Sequence, residues 1–466
     1  MTQTLIEKPH HSAEFRLRRF LNWFPMGLTY AFLYMARYNL TVSKNALGDL
    51  MSKSDFGLIF GIGTFTYAFA FLLNGPLTDR IGGKKAILLG AFGAATMNLF
   101  MGLTLYLLLA QQVKLNLLLV FSICYLLNMY FQSFGAVAIV KVNASWFHVR
   151  ERGMFGGIFG VLISLGLYFA FDWSEAVVRL TKAHLDAKLN VVESLLRQLI
   201  GASNATVDQT WWIFFIPAII LYLFFILEIF LLKDRPSDAG LQDFDTLDAS
   251  SGEENRKFEL KEILTRILTN RVIIIVAIIE MCTGVLRQGI MHWYFIFAKE
   301  ELHLGPGHFM QAHWGLILML AGASGGMLAG FLSDKIFGSR RGPVAALLYG
   351  TMILCTTVMA FVLYQNPVYL AIIVTTISFC VIGTHGMLSG TATMDFGGRR
   401  AAATAVGLID GAVYLGTAIQ SISLGFLTEK NWHFWPVFLI PFSIAGFLLA
   451  INIWHAFPKG KKQSGH

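Results

Sequence analysis

The sequence predicts an all-α membrane protein, with twelve transmembrane helices arranged as two six-helix halves related by pseudo-symmetry. Three observations carry that expectation: an apolar composition from end to end, basic clusters that alternate with the apolar runs, and a repeat offset of about 250 residues. Of 466 residues, 55% are hydrophobic and 14% charged, and the mean hydropathy is +0.60. A water-soluble chain carries roughly 25% charged residues. A helical pass through a bilayer takes about 20 apolar residues, and lipid leaves the helix as the spanning element for such runs.

The spans are expected near 20–43, 55–76, 86–109, 114–140, 153–173, 211–232, 271–298, 310–334, 343–364, 367–393, 401–427 and 433–456. "RLRR" precedes the first span, "DRIGGKK" follows the second and "HVRERG" the fourth. "SDKIFGSRRG" follows the eighth, "GGRR" the tenth, and "PKGKK" lies at the C-terminal end. All fall on one side if both termini are cytoplasmic, as the positive-inside rule requires. The net charge of +8 is thereby read as membrane topology, and no nucleic-acid partner is expected. Residues 1–15 lack a short apolar region with a small-residue cleavage site, so they do not read as a cleavable signal peptide. Cys124, Cys282, Cys355 and Cys380 sit in apolar runs without metal spacing and read as packing residues.

This divides the chain into a cytoplasmic tail (1–19), an N-terminal bundle (20–232), a polar central loop (233–270), a C-terminal bundle (271–456) and a second cytoplasmic tail (457–466). An insertion on the outer side, 174–210, places Leu180, Leu185, Leu189, Val192, Leu196 and Leu199 at helical spacing. It suits the bilayer surface, a partner, or packing on its own neighbouring loops.

The halves echo one another. "GPLTDRIGGKKAILLG" (75–90) recurs as "GFLSDKIFGSRRGPVAALLYG" (330–350), and "RERGMFGG" (150–157) recurs weakly as "GRRAAATAVG" (398–407). Arg37 in "YMARYNLTV" is matched by Arg287 in "LRQGIMHWYF". An arginine near the centre of a span costs roughly 2.5–3.5 kcal/mol on insertion scales. Equivalent arginines in both halves point to a shared job at the repeat interface, where parallel repeats place a substrate site.

Helical spacing puts Tyr30, Tyr34, Arg37 and Thr41 on one face of the first span. Asn128 and Gln132 share a face of the fourth, and Asp410, Tyr414 and Thr417 a face of the eleventh. Glu280 lies two turns before Arg287, about 10 Å by helical rise, too far to pair with it directly. Glu280 and Asp410 are intramembrane carboxylates and so candidate proton-coupling groups. His292 and His385 read either as titrating groups or as fillers of polar pockets.

"GPLTDRIGGKK" resembles the loop signature of the major facilitator superfamily. In that pattern Asp79 and Arg80, with Asp334 in the second half, gate the cytoplasmic side. Lys141, Arg150 and Arg152 belong to the same gate and to anion entry. More narrowly, "YMARYNLT", "YFQSFG…KVNASWFHVRERG", "KDRPSDAGL", "LRQGIMHWYF" and "RRAAATAVGLIDGAVYLG" resemble the organophosphate:phosphate antiporters, the glycerol-3-phosphate and hexose-phosphate transporters. The resemblance implies that Arg37 and Arg287 clamp a substrate phosphate from opposite halves, with Gln132 along the cavity. Tyr34, Tyr38, Asn128, His292 and Tyr414 complete the expected substrate site. Family positions that usually hold lysine, lysine, histidine and glutamate are Tyr38, Phe71, Ile163 and Met319 here.

The expected function is secondary transport of a phosphorylated metabolite or similar anion, in exchange for inorganic phosphate, by a cofactor-free monomer in a cell membrane of the bacterial inner-membrane type. Proton-coupled anion symport and a non-transporting sugar-phosphate sensor stand as alternatives. No P-loop, metal-ligand cluster or nucleophile–base arrangement points to an enzyme.

Overall fold

In the computed structural model the described residues are 11–110, 112–148, 161–162, 164–184, 189–244, 269–305, 307–338 and 340–456, without side chains at 204 and 390–406. The N-terminal half comprises α1 (Ala13–Leu47), α2 (Lys53–Ile81), α3 (Gly83–Leu109) and α4 (Leu117–Trp146). A π-helical turn, Phe169–Trp173, then leads into α5 (Ser174–Thr181), followed by α6 (Val191–Leu199) and α7 (Trp212–Leu231). The C-terminal half comprises α8 (Arg271–Met291), α9 (Trp293–Glu300), α10 (Phe309–Ala312), α11 (Trp314–Phe331), α12 (Arg341–Val362), α13 (Pro367–His385), α14 (Thr393–Lys430) and α15 (Phe434–Asn452). Among the described residues, 10 helices are long and apolar enough to cross a membrane. Two expected spans fall outside that set. The fifth lies partly in 149–160, outside the described residues. The first is one 35-residue helix whose charged start and polar far end dilute its apolar middle.

Helix starts follow local chemistry. Ser12, Ser52 and Asn116 cap α1, α2 and α4 with their side chains, and Asp55 completes a capping box at α2. The expected seventh span is interrupted at His292, where α8 passes into α9. The chain between α2 and α3 turns at Gly82, φ +91°, a conformation that favours glycine.

Small residues set how closely helices meet, both within the C-terminal half and between the halves. A Cβ at Gly284 of α8 would lie 2.0 Å from the Val413 carbonyl oxygen of α14, and one at Gly416 would lie 2.1 Å from that of Met281. At Gly57 of α2 it would lie 2.4 Å from the Ser421 carbonyl oxygen. These contacts bring the backbones of α2, α8 and α14 together, as in close membrane-helix packing.

Polar contacts divide between the two ends. At the end carrying both chain termini, each stays within one half: Lys141–Asp79 at 2.6 Å, Arg341–Asp334 at 3.0 Å, and the Lys84 amide on Asp234 at 2.8 Å. At the opposite, far end they join the halves. Glu300 binds Lys44 at 2.8 Å and Lys53 at 3.4 Å, and Asn45 donates to the Phe295 carbonyl at 2.9 Å. Asp172 accepts from the amides of Gly315 (2.7 Å) and Leu316 (3.3 Å) at the start of α11.

The insertion differs from a single amphipathic face. Leu180 is buried on α5, whereas Val192, Leu196 and Leu199 are exposed on the separate helix α6. Leu185 lies outside the described residues. The polar side of α6 turns inward: Glu193 pairs with Arg179, and Arg197 donates to the carbonyls of Leu180 and Lys182. Of the four cysteines, Cys124, Cys282 and Cys380 are buried and Cys355 is half-buried, all as free thiols.

Candidate functional site

Arg37 is fully buried in the C-terminal third of α1. Its Nε donates to Gln132 Oε1 at 2.9 Å, and a terminal nitrogen donates to the Tyr414 hydroxyl at 2.9 Å. The other terminal nitrogen has no hydrogen-bond partner. Rings surround the guanidinium: Tyr67 at 4.6 Å, Tyr34 at 5.0 Å, Tyr38 at 5.8 Å and Tyr414 at 5.9 Å from its central carbon. Aromatic faces stabilise a desolvated cation, so this wall offsets part of the cost of burying Arg37.

The groups behind Arg37 form a linked set. Gln132 Nε2 donates to Asn128 Oδ1 at 3.0 Å, and Asn128 donates to the Ala36 carbonyl at 3.0 Å. Asn98 donates to the same carbonyl at 3.0 Å, and the Tyr125 hydroxyl donates to the Arg37 carbonyl at 3.1 Å. These bonds occupy α4 and α3 in positioning the first span. They leave the free guanidinium nitrogen as the group able to meet an incoming anion.

Arg287 is partly exposed on α8. Tyr34, Tyr38 and Tyr414 are its close neighbours, and its Nε has no hydrogen-bond partner. The same three tyrosines therefore border both arginines, one arginine from each half. The neighbouring Gln288 donates to the Tyr38 hydroxyl at 3.2 Å, tying the halves together beside the site.

The expected site residues separate into three groups. Arg37, Arg287, Tyr34, Tyr38, Gln132, Asn128 and Tyr414 come together as described. His292 stands apart, buried with Nδ1 2.7 Å from the Thr41 hydroxyl and its ring packed on Phe60 at 4.5 Å and Tyr38 at 5.2 Å. It works there as a contact between halves on the far-end side of Arg37. Glu280 and Asp410 form a third group with His385: His385 Nδ1 is 2.7 Å from Glu280 Oε2, and Ser389 donates to Asp410.

Of the expected gating residues, Asp79 pairs with Lys141 and Asp334 with Arg341, while Arg80 is exposed. Arg150 and Arg152 lie outside the described residues. Sequence reasoning missed Tyr67, Tyr125, Asn98 and Gln288. Tyr67 continues the Phe60, Thr64, Phe71 face of α2 at helical spacing, and Gln288 adjoins Arg287, so a signal was present for both.

Comparison with known proteins agrees with this architecture. The Major Facilitator Superfamily profile matches residues 26–171 and 194–421. The glycerol-3-phosphate transporter of Bacillus subtilis is 24% identical over 94% of this chain and 92% of its own. The membrane sensor protein UhpC of Escherichia coli is 25% identical over 91% and 89%, and a probable hexose phosphate transport protein of Chlamydia trachomatis 24% identical over 97% and 94%. Among solved structures, a bacterial homologue of the human lysosomal transporter Spinster, inward-facing and unoccupied, superposes with TM-score 0.74 at 14% identity, covering 98% of this chain and 100% of that one. With its all-helical membrane architecture, the repeated loop motif and this match across most of its length, the chain belongs to the Major Facilitator Superfamily.

Proposed function

We propose that the protein carries a phosphorylated small metabolite across a cell membrane by alternating access, in exchange for inorganic phosphate. The observation that carries this reading is the paired arginines, one from each half, sharing a wall of Tyr34, Tyr38 and Tyr414. Each has an unpartnered buried nitrogen, and a phosphate offers enough oxygens to meet both. The names of the Bacillus and Chlamydia relatives point to the same substrate class.

Exchange follows from charge. Two guanidinium groups drawn together around an empty site repel, by several kcal/mol at a few ångströms even with an effective dielectric near 20. A dianionic phosphate cancels that repulsion, so the loaded carrier changes state more readily than the empty one. The far end, with Lys44, Lys53 and Glu300 engaged, is taken as the outer side in its closed state. Both termini, and the Asp79 and Asp334 motifs that gate the inner side, are then cytoplasmic.

Purified protein in phosphate-loaded vesicles tests the reading. Labelled phosphate and a panel of organophosphates should enter loaded vesicles much faster than empty ones at equal pH. Equal rates in the two would overturn exchange. The similarity to a membrane sensor supports a second reading, a receptor that binds the organophosphate without moving it. Saturable binding with no flux in either vesicle type would favour that one.

A further inference from the structure

A buried acidic cluster lies in the C-terminal half, apart from the tyrosine-walled pair. Glu280 on α8 is fully buried, with Oε2 2.7 Å from His385 Nδ1 of α13 and Oε1 without a hydrogen-bond partner. Asp410 on α14 accepts from Ser389 and has His385, Glu280 and Arg287 as its charged neighbours. One carboxylate thus pairs with the imidazole while the other is its charged neighbour, and the same group of charges includes Arg287. Helix packing alone gives no reason for it. A carboxylate oxygen with no donor, buried within a membrane helix, is costly unless it gains a proton or a partner.

Neutral titratable groups also border Glu280. Among the described residues, α8 adds Cys282, and α12 adds Tyr349, whose hydroxyl is committed to the Ile279 carbonyl and Thr283. α15 presents no titratable side chain between Phe434 and Asn452. Among the described residues, Arg287 and His385 are the cationic neighbours of Asp410, and His385 pairs with Glu280.

We propose that Glu280, His385 and Asp410 form a proton-binding site linked to the anion site through Arg287. This rests on the reading that Arg287 holds the substrate anion. In the unloaded carrier Arg287 offsets only part of the carboxylates' charge. An anion arriving at Arg287 takes over that charge, and one proton from the same side joins the cluster, forming an O–H bond on a carboxylate or an N–H bond on the imidazole. Release on the other side breaks that bond and returns the proton to water with the anion. Coupling is reciprocal: bound anion favours the proton, and bound proton favours the anion. Beside exchange, the carrier then has a proton-driven mode of net anion entry.

The test uses the full-length protein in vesicles, with inorganic phosphate as probe and the membrane potential clamped. Exchange is read in phosphate-loaded vesicles at equal pH. Net uptake is read in empty vesicles with the outside one pH unit more acid. Wild type should show gradient-driven net uptake that ceases when the pH difference is abolished. The ratio of net uptake to exchange should fall about ten-fold or more in Glu280→Gln and in Asp410→Asn. His385→Asn, which keeps a hydrogen-bonding side chain of similar size, guards against a folding defect in either. Gradient-driven uptake without exchange would sink the exchange reading and support the proton site. Absence of gradient-driven uptake in wild type, or an unchanged ratio in all three variants, overturns the proposal.

Discussion

Replacing Arg37 with lysine separates charge from geometry. The arginine spends Nε on Gln132 and one terminal nitrogen on Tyr414, each at 2.9 Å, and keeps its other terminal nitrogen unpartnered. Lysine has one nitrogen at a shorter reach. If that nitrogen satisfies Gln132 and Tyr414 it has little left for phosphate; if it turns to phosphate, two buried polar groups lose their donor. Either way at least one hydrogen bond to a charged group is lost, about 1.5–3 kcal/mol. Phosphate affinity should fall roughly 10- to 150-fold, with net charge and membrane insertion unchanged. Phosphate-dependent thermal stabilisation of the detergent-solubilised protein measures it, with size-exclusion elution reporting the fold. Binding within about two-fold of wild type would remove Arg37 from the anion site and leave its tyrosine wall a purely structural device.

The other substitutions probe the partner arginine, the far-end lock, the helix contacts and the inner motif. Arg287→Lys should weaken phosphate binding by a similar factor, since Tyr34 and the unpartnered Nε depend on the guanidinium shape; unchanged binding would place the anion on Arg37 alone. Glu300→Gln removes the charge shared by Lys44 and Lys53, so spin labels at the far ends of the two halves should show a longer mean separation. Gly284→Val puts a side chain where a Cβ already meets the Val413 carbonyl at 2.0 Å, and loss of folded, monodisperse protein is expected; a normal yield would mean α8 and α14 can separate. Asp79→Asn breaks an ion pair with Lys141 that is exposed on both sides, so thermal stability should change by less than about 1 kcal/mol, and any effect should appear in label distances at the terminal end of the bundle.

Sequence by itself determined the helical membrane class, and it singled out Arg37 and Arg287 as the candidate anion-site pair. Those features rest on local or repeating signals: apolar run length, alternating basic loops, and an arginine that recurs in both halves. It also picked out Tyr34, Gln132, Asn128 and Tyr414, from helical spacing within apolar spans and from the family resemblance. Tertiary structure decided who touches whom. His292 and Glu280 look alike in sequence, single polar residues on the seventh span, yet one packs against Thr41 and Phe60 and the other pairs with His385 across α13. The Lys44–Glu300–Lys53 lock joins residues about 250 positions apart, and no periodicity within either helix encodes it. Both outcomes depend on the rotation and approach of whole helices, set by glycines such as Gly284 and Gly416 where backbones meet. A helix pattern fixes which residues share a face, but only packing fixes what that face meets.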